Sequence, residues 1–120
     1  MSFADFGFVR VAAVHTPVKI ADPAANTAAI LGAARRAAST GAAVVLFPEL
    51  ALSGYTCEDL FQSRDVVAAV RKGLADLARE SASIAPALLV GAPFQAADGR
   101  LYDAAFVIHG GRIRGAIPKI

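Results

Sequence analysis

The sequence predicts an α/β fold in which strands alternate with two helices and the chain ends in a hairpin. Apolar runs rich in Val and Ala, typical of strands buried in a parallel sheet, recur along the chain. The segment between the first two runs has helical spacing. Strand, helix and strand in this order predict a βαβ unit with parallel strands and a right-handed crossover. Gly110-Gly111, between two later runs, predicts a tight hairpin turn.

The first predicted helix covers residues 24–40. Asp22 can accept hydrogen bonds from the free N–H groups at the helix start, and Pro23 fits the first helical position, where no N–H is needed. Gly41 suits the position after the last turn, because glycine readily adopts the left-handed conformation found there. Residues at helical spacing predict the buried face, namely Thr27, Ile30, Leu31, Ala34 and Ala38.

The second predicted helix covers residues 64–81. Ser63 lies where a side-chain cap is expected. Four residues at helical spacing predict its apolar stripe, namely Val67, Val70, Leu74 and Leu77. Before this helix, residues 50–62 predict a long irregular connection, and Pro86 marks the exit after it.

Five strands are predicted, at residues 8–15, 42–47, 87–91, 101–109 and 112–117. The third run is apolar throughout, which favours a central position in the sheet. Pro48 ends the second strand, because proline has no N–H to give to the ladder. The sequence stops directly after the fifth strand without a closing helix. We therefore expect residues 1–120 to be truncated relative to a natural domain, with an apolar sheet face left bare.

Composition limits the classes of function. The chain is 56% hydrophobic and 18% charged, more apolar than an average soluble domain, so we expect a larger body to cover part of its surface. A net charge of +2 with scattered basic residues argues against a nucleic-acid partner. The single cysteine excludes an intrachain disulfide and favours a reducing compartment. The sequence has no signal-peptide pattern and no apolar run long enough to span a bilayer. We therefore expect a cytoplasmic protein with no membrane segment.

Glu49 is the first candidate catalytic residue. It directly follows the second predicted strand, and open α/β sheets bind ligands at the carboxyl ends of their strands. A carboxylate between apolar neighbours needs a partner, because an unpaired buried charge is costly. Held in a partly dry pocket, such a carboxylate could act as a general base. Its position alone fits a helix cap or a surface ion pair equally well.

Lys119 is the candidate partner of Glu49. It too directly follows a predicted strand and a proline, so the two charges could converge on one pocket. Its ammonium group would keep Glu49 ionised and could stabilise a developing oxyanion. Pattern alone favours an ordinary solvated lysine near a chain end.

Other reactive side chains are weaker candidates. Cys57 has no histidine in its loop, and the neighbouring carboxylates of Glu58 and Asp59 disfavour a thiolate, so we do not expect it to be the nucleophile. His15 and His109 lie at predicted strand ends. With one cysteine, no paired histidines and no clustered carboxylates, we expect no metal site. The absence of a Gly-rich loop after the first strand weakens a dinucleotide-binding interpretation.

Several motifs together resemble the nitrilase, or carbon–nitrogen hydrolase, superfamily. They are Phe47-Pro48-Glu49-Leu50 with Ser53-Gly54-Tyr55, then Val90-Gly91-Ala92-Pro93, Leu101-Tyr102 and Pro118-Lys119. The extension Glu58-Asp59-Leu60 is similar to the glutaminase domains of glutamine-dependent NAD⁺ synthetases. The resemblance covers essentially the whole chain. It implies that residues 1–120 form the N-terminal part of an α-β-β-α sandwich.

The resemblance also implies a chemistry. The superfamily uses a Glu-Lys-Cys triad, and in the glutaminase domains its cysteine attacks the side-chain amide of the substrate glutamine and releases ammonia. By position, Glu49 is the general base and Lys119 is the lysine that stabilises the tetrahedral intermediate. The nucleophilic cysteine and the residues that bind glutamine are expected beyond Ile120, so residues 1–120 alone should be inactive. The ATP- and Mg²⁺-dependent synthetase domain that uses the ammonia is expected beyond residue 120 as well.

Two alternatives stay open at this stage. One is a stand-alone amidase, carbamoylase or nitrilase of the same superfamily, and the other is a non-catalytic truncated product. We also expect a homo-oligomer. One departure from the family pattern concerns Asp103, which stands where the family often has Asn after Leu-Tyr. A carboxylate cannot donate a hydrogen bond as an amide does, so this change could perturb a structural contact.

Overall fold

The computed structural model describes residues 3–54 and 63–120. This part of the chain forms one five-stranded sheet and two α-helices. The strands are β1 (Val11–Ala13), β2 (Val44–Leu46), β3 (Ala87–Gln95), β4 (Leu101–His109) and β5 (Arg112–Pro118). The helices are α1 (Pro23–Ser39) and α2 (Arg64–Glu80), and short 3-10 helices cover Phe3–Phe6 and Ser81–Ser83.

The strands lie side by side in the order in which they occur along the chain. β1, β2 and β3 are parallel, with α1 and α2 as the connections between them. β4 is antiparallel to β3, and β5 is antiparallel to β4, with an irregularity between Val107 and Ile108 that shifts the register of the last pair. The predicted parallel pair, the hairpin at Gly110-Gly111 and the central position of the third strand are therefore confirmed.

One face of the sheet is buried and carries the core. Val45, Leu88 and Ile108 are in register across three strands and are fully buried. Alternate side chains of the strands and the inner faces of both helices complete this core, because successive strand residues point to opposite faces. Its largest members include Ile30, Leu52, Val70, Leu77 and Val90.

The opposite face of the sheet is open in the described part of the chain. Leu46 is 52% exposed and Ile117 is 61% exposed, although both are large and apolar. Every residue of β5 is exposed. The predicted bare, apolar sheet face is therefore present, and the candidate site described below opens onto it.

Three predicted strands have the wrong length, because β1 and β2 (residues 44–46 instead of the predicted 42–47) are shorter than expected and β3 is longer. β1 pairs with only three residues of β2, and single backbone bonds at Arg10 and Val14 extend the contact at its ends. The prediction of residues 8–15 was too long because β2 itself is short. β3, by contrast, continues through Pro93 to Gln95 against β4. Proline is tolerated there because β2 ends opposite Leu89, so that β3 has only one neighbour at Pro93.

The predicted limits of α1 are largely confirmed. The N–H of Ala25 donates to Oδ1 of Asp22 at 3.1 Å, and Gly41 follows the helix with φ +82°. The buried face is rotated from the prediction, because Leu31 and Ala38 are only partly buried. Its members are Pro23, Asn26, Thr27, Ile30, Ala33, Ala34 and Ala37. Asn26 is the buried amide among them.

α2 packs against α1 more closely than its apolar stripe suggested. A Cβ on Gly73 would lie 2.6 Å from Oγ1 of Thr27, so this glycine lets the two helices approach. Val67 is only partly buried, whereas the other three predicted stripe residues are buried. Ser63 lies at the N-cap position but its side chain makes no capping bond, so that part of the prediction is wrong. No helix in the described ranges has the length and apolarity needed to cross a bilayer.

Candidate active site

The sheet topology brings Glu49 and Lys119 to the same edge. β2 and β3 are parallel, and β5 runs in the direction of β3 because two antiparallel steps separate them. Glu49 follows β2 and Lys119 follows β5, so both lie beyond the carboxyl ends of strands that point the same way. β4 runs in the opposite direction and therefore brings its own first residues, including Asp103, to this edge.

Glu49 and Lys119 form a direct ion pair. Nζ of Lys119 donates to Oε1 of Glu49 at 2.8 Å. The side chain of Glu49 is 34% exposed and that of Lys119 is 69% exposed, so the pair faces solvent on one side. The structure thus brings together the two residues that the sequence singled out, and their catalytic roles stay predictions.

Gly91 of β3 supports the loop that carries Glu49. A Cβ at this position would lie 2.5 Å from the backbone nitrogen of Leu50 and 2.7 Å from the carbonyl oxygen of Pro48. The N–H of Leu52 also donates to the carbonyl of Gly91 at 3.1 Å. The glycine of the motif Val90-Gly91-Ala92-Pro93 is therefore required by close backbone contact with the segment around Glu49.

Asn26 fixes the same loop from the side of α1. Its Nδ2 donates to the carbonyl oxygens of Lys19 at 2.8 Å and Leu52 at 3.0 Å. Its Oδ1 accepts from the N–H of Lys19 at 2.8 Å. This amide is buried, and both its oxygen and its nitrogen are hydrogen-bonded. It connects the loop that contains Lys19 to the loop that contains Leu52. Sequence reasoning missed it, although a lone Asn inside an apolar helical stripe is the signal that could have found it.

Asp103 is the third charged group at this edge. Its carbonyl oxygen accepts from the N–H of Lys119 at 2.7 Å, which extends the β4–β5 pairing by one residue. Its side chain lies on the same face of the sheet as that of Glu49 and close to it. Burial, together with a hydrogen bond to Glu49 and the charge of Glu49, raises the pKa of Asp103 to about 6, although the Lys119 ammonium acts in the opposite direction. Sequence reasoning noted Asp103 only as a departure from asparagine and did not place it beside Glu49.

These three side chains line a cavity of about 340 Å³ on the open face of the sheet. The remainder of its wall is mostly apolar and comes from residues of the four strands β2 to β5 and the segment after β2, including Leu46, Phe47, Leu89, Ala105 and Ile117. Such a site can hold an uncharged polar group against an apolar wall with a carboxylate and an ammonium at one end.

Larger cavities lie away from this chemistry. One of about 570 Å³ is lined by Phe3, Phe6 and Phe8 together with residues that precede β1 and β2, at the opposite ends of the strands. Arg10 is its only charged lining residue within the described chain. We therefore place the candidate site at the smaller cavity, where paired charges meet.

The two histidines do not join the site. His109 lies at the exposed hairpin end of β4, and His15 borders a separate small cavity beside Pro48. Among residues 3–54 and 63–120, no group of three or more His, Cys, Asp or Glu side chains could hold a metal ion. Cys57 and the motif Glu58-Asp59-Leu60 lie outside the described residues, as does Tyr55.

Comparison with known proteins gives a consistent result. Residues 10–119 match the carbon-nitrogen hydrolase family. The glutamine-dependent NAD(+) synthetase of Mycobacterium tuberculosis (strain ATCC 25618 / H37Rv) is 48% identical over 113 residues, which cover 94% of this chain and 16% of that protein. The chain therefore spans about a sixth of the length of this curated relative.

Solved structures agree with the family match. The glutamine-dependent NAD+ synthetase from Acinetobacter baumannii has a TM-score of 0.80 at 27% identity, over 87% of this chain and 19% of that chain. The NitN amidase from Nesterenkonia sp. AN1 has a TM-score of 0.77 at 26% identity, over 94% of this chain and 44% of that chain. This amidase belongs to the nitrilase superfamily, so the sheet and helices correspond to part of a nitrilase fold. On this evidence, the chain belongs to the carbon–nitrogen hydrolase family.

Proposed function

We propose that this chain supplies the general base and the lysine of an amide hydrolase that releases ammonia from the side chain of glutamine. The observation that carries the proposal is the 2.8 Å contact between Lys119 Nζ and Glu49 Oε1 at the mouth of the cavity. The similarity to glutamine-dependent NAD(+) synthetases supports glutamine as substrate and NAD⁺ synthesis as the use of the ammonia.

In this mechanism Glu49 accepts the proton of a cysteine thiol as its sulfur attacks the amide carbon. The carbonyl oxygen becomes an oxyanion, and the ammonium of Lys119 stabilises its charge. When the intermediate collapses, the C–N bond breaks and the proton held by Glu49 passes to the leaving nitrogen, which departs as ammonia. Water then hydrolyses the thioester, with Glu49 again as the base.

The proposed nucleophile lies in sequence that follows residue 120. The relatives are much longer than this chain, which leaves room for a cysteine and for residues that bind glutamine. Cys57 is a poor alternative because the carboxylates of Glu58 and Asp59 adjoin it. The same continuation would carry the ATP- and Mg²⁺-dependent synthetase domain, in an enzyme that we expect to be a homo-oligomer.

A stand-alone amidase is the second candidate function. The observation in its favour is the match to the Nesterenkonia amidase, of which this chain covers 44%, a larger share than of the synthetases. In a mutant of that amidase, the active-site cysteine carries the product of Michael addition of acrylamide. The two candidates share the base and the lysine and differ in whether the released ammonia is consumed by the same polypeptide.

A chimaera tests the proposal directly. In it, residues 1–120 replace the matching segment of the M. tuberculosis synthetase, with which they share 48% identity over 113 residues. Glu49→Gln should lower glutamine-dependent NAD⁺ synthesis by about 10²- to 10⁴-fold, the range for loss of a general base. Synthesis from added ammonia should continue, because that route does not use the amidase site.

Glu80→Gln is the matched control for this experiment. Glu80 also pairs with a basic side chain at 2.8 Å, and it is 35% exposed, but it lies at the end of α2 beside Arg35. This variant should keep both activities. If Glu49→Gln keeps glutamine-dependent synthesis, or if an unchanged chimaera uses ammonia but never glutamine, the proposed role of this site is wrong.

A further inference from the structure

Asp103 is held against both members of the ion pair. Directly opposed residues of antiparallel strands bring their side chains within about 4.5–5.5 Å on one face. Asp103 is opposite Lys119, whose N–H donates to the Asp103 carbonyl at 2.7 Å. Glu49 reaches the same point from the loop after β2, where its Oε1 accepts from Nζ of Lys119 at 2.8 Å, and the side chains of Glu49 and Asp103 line the same cavity.

A hydrogen bond between two carboxyl groups requires a proton. An ionised carboxylate is only an acceptor, so one of the two groups must be protonated while the bond exists. Two nearby carboxylates therefore lose their protons in two steps that belong to the pair, and the second loss is delayed by repulsion between the charges. Among the described residues that line the cavity, Glu49, Asp103 and Lys119 are the titratable ones.

On this geometry, and resting on the proposed function, we propose that Asp103 is a positioning residue that shares a proton with Glu49 and so sets the pH at which Glu49 becomes free to act as base. With the shared proton in place, Glu49 cannot take a proton from the nucleophile. Once that proton has left, the second carboxylate makes Glu49 a stronger base, and Lys119 compensates one of the two negative charges.

The raised pKa of Asp103 is in accord with this arrangement, since burial and Glu49 both favour its protonated form. An asparagine at this position would behave differently. Its amide can donate to Glu49 at every pH, and it contributes no charge and no titration. Compared with an amide, the carboxylate at position 103 would thus raise the pH below which this enzyme loses activity. It would also make Glu49 a stronger base.

The pH dependence of glutamine-dependent synthesis by the chimaera tests the proposal. For the unchanged protein, kcat/KM should fall below a midpoint near pH 6, the value to which the pKa of Asp103 is raised. For Asp103→Asn the midpoint should move down by about one unit, which raises kcat/KM at pH 5 several-fold, while the plateau falls less than about tenfold as the base weakens. Asp103→Glu, which restores a carboxyl group, should keep the midpoint near that of the unchanged protein.

Ammonia-dependent synthesis at each pH serves as the internal reference, and Asp76→Asn is the control because Asp76 lies on α2 with Lys72 and Arg79. A midpoint below pH 5 in the unchanged protein would overturn the proposal without any variant. So would an Asp103→Asn profile that is lowered equally at all pH values, which would mark a structural role. Failure of the proposed function is distinct, since Glu49→Gln would then keep its glutamine-dependent activity.

Discussion

The Nζ of Lys119 lies 2.8 Å from Oε1 of Glu49, across a separation of 70 positions in the sequence. Neither residue is in a strand, and each is the first charged residue after one. The contact therefore depends on the lengths and directions of four strands rather than on any local motif.

Replacing Lys119 should impair glutamine use selectively. Lys119→Met keeps the side-chain length but removes the ammonium, so glutamine-dependent kcat of the chimaera should fall by about 10²- to 10³-fold, as for other oxyanion-stabilising groups. Ammonia-dependent synthesis should be retained. Lys72→Met is the matched control, since Lys72 also pairs with a carboxylate at 2.8 Å and is 78% exposed. A decrease of less than threefold for Lys119→Met would argue against its role.

Asp103 should make stability depend on pH. Its pKa is raised from 3.8 to about 6, so the folded state favours the protonated form, and the stabilisation present below pH 4 is lost as the pH rises through 6. Asp103→Asn cannot ionise, and after allowance for solvent screening it should be more stable than the unchanged chimaera at pH 7.5 by about 1–2 kcal/mol. The difference should largely vanish at pH 4. Thermal unfolding at the two pH values measures it.

Asp76→Asn should show the opposite sign. Hydrogen bonds from Lys72 and then Arg79 lower the pKa of Asp76, so its carboxylate stabilises the folded state above pH 4, and this contribution is lost as the pH falls. The variant should therefore be less stable than the unchanged protein at neutral pH. Equal changes in stability for Asp76→Asn and Asp103→Asn would show that the general loss of a negative charge determines stability. The surroundings of Asp103 would then not be the cause.

Gly91 should not accept a side chain. Gly91→Ala would place a Cβ 2.5 Å from the backbone nitrogen of Leu50, and backbone atoms cannot turn aside as side chains can. The expected loss of stability is about 1–3 kcal/mol, with a loss of glutamine-dependent activity because Glu49 is displaced. Gly115→Ala is the control, since a Cβ there meets nothing within 4 Å. Indistinguishable melting temperatures for the two variants would contradict the close contact.

Asn26 should stabilise the loop after Glu49. Asn26→Ala removes three hydrogen bonds and leaves the buried carbonyl of Leu52 and the partly buried backbone groups of Lys19 without this partner. We expect a loss of about 2–4 kcal/mol in the free energy of unfolding. Gln95→Ala removes an exposed amide that makes one 3.4 Å contact and should change stability very little. A loss below 0.5 kcal/mol for Asn26→Ala would show that water replaces the lost bonds.

The parallel strand pair, the hairpin and the edge of the sheet that carries Glu49 and Lys119 could be predicted because they follow from short-range signals. Asp22 and Gly41 mark the ends of α1, and Gly110-Gly111 marks the hairpin. Parallel strands then place the residues that follow them at one edge of the sheet. Glu49 and Lys119 were therefore expected at one edge, whereas their direct contact also depends on the lengths and register of the strands between them.

The supporting contacts could not be predicted in the same way. The proximity of Asp103 to Glu49 and the close approach of Gly91 to Leu50 depend on the register of neighbouring strands. Register is determined by pairing over the whole sheet and has no local signature. The burial of Asn26 likewise depends on a loop that is distant in sequence.

The register irregularity between Val107 and Ile108 has a further consequence for the site. Side chains alternate between the two faces of a strand, so each residue added to or removed from β5 would exchange its faces. Lys119 would then point toward the helices, and its ammonium would no longer meet Glu49. The number of residues in the hairpin from Val107 to Pro118 therefore determines the position of Lys119. Substitution of its exposed side chains should be tolerated, whereas an insertion or deletion should not.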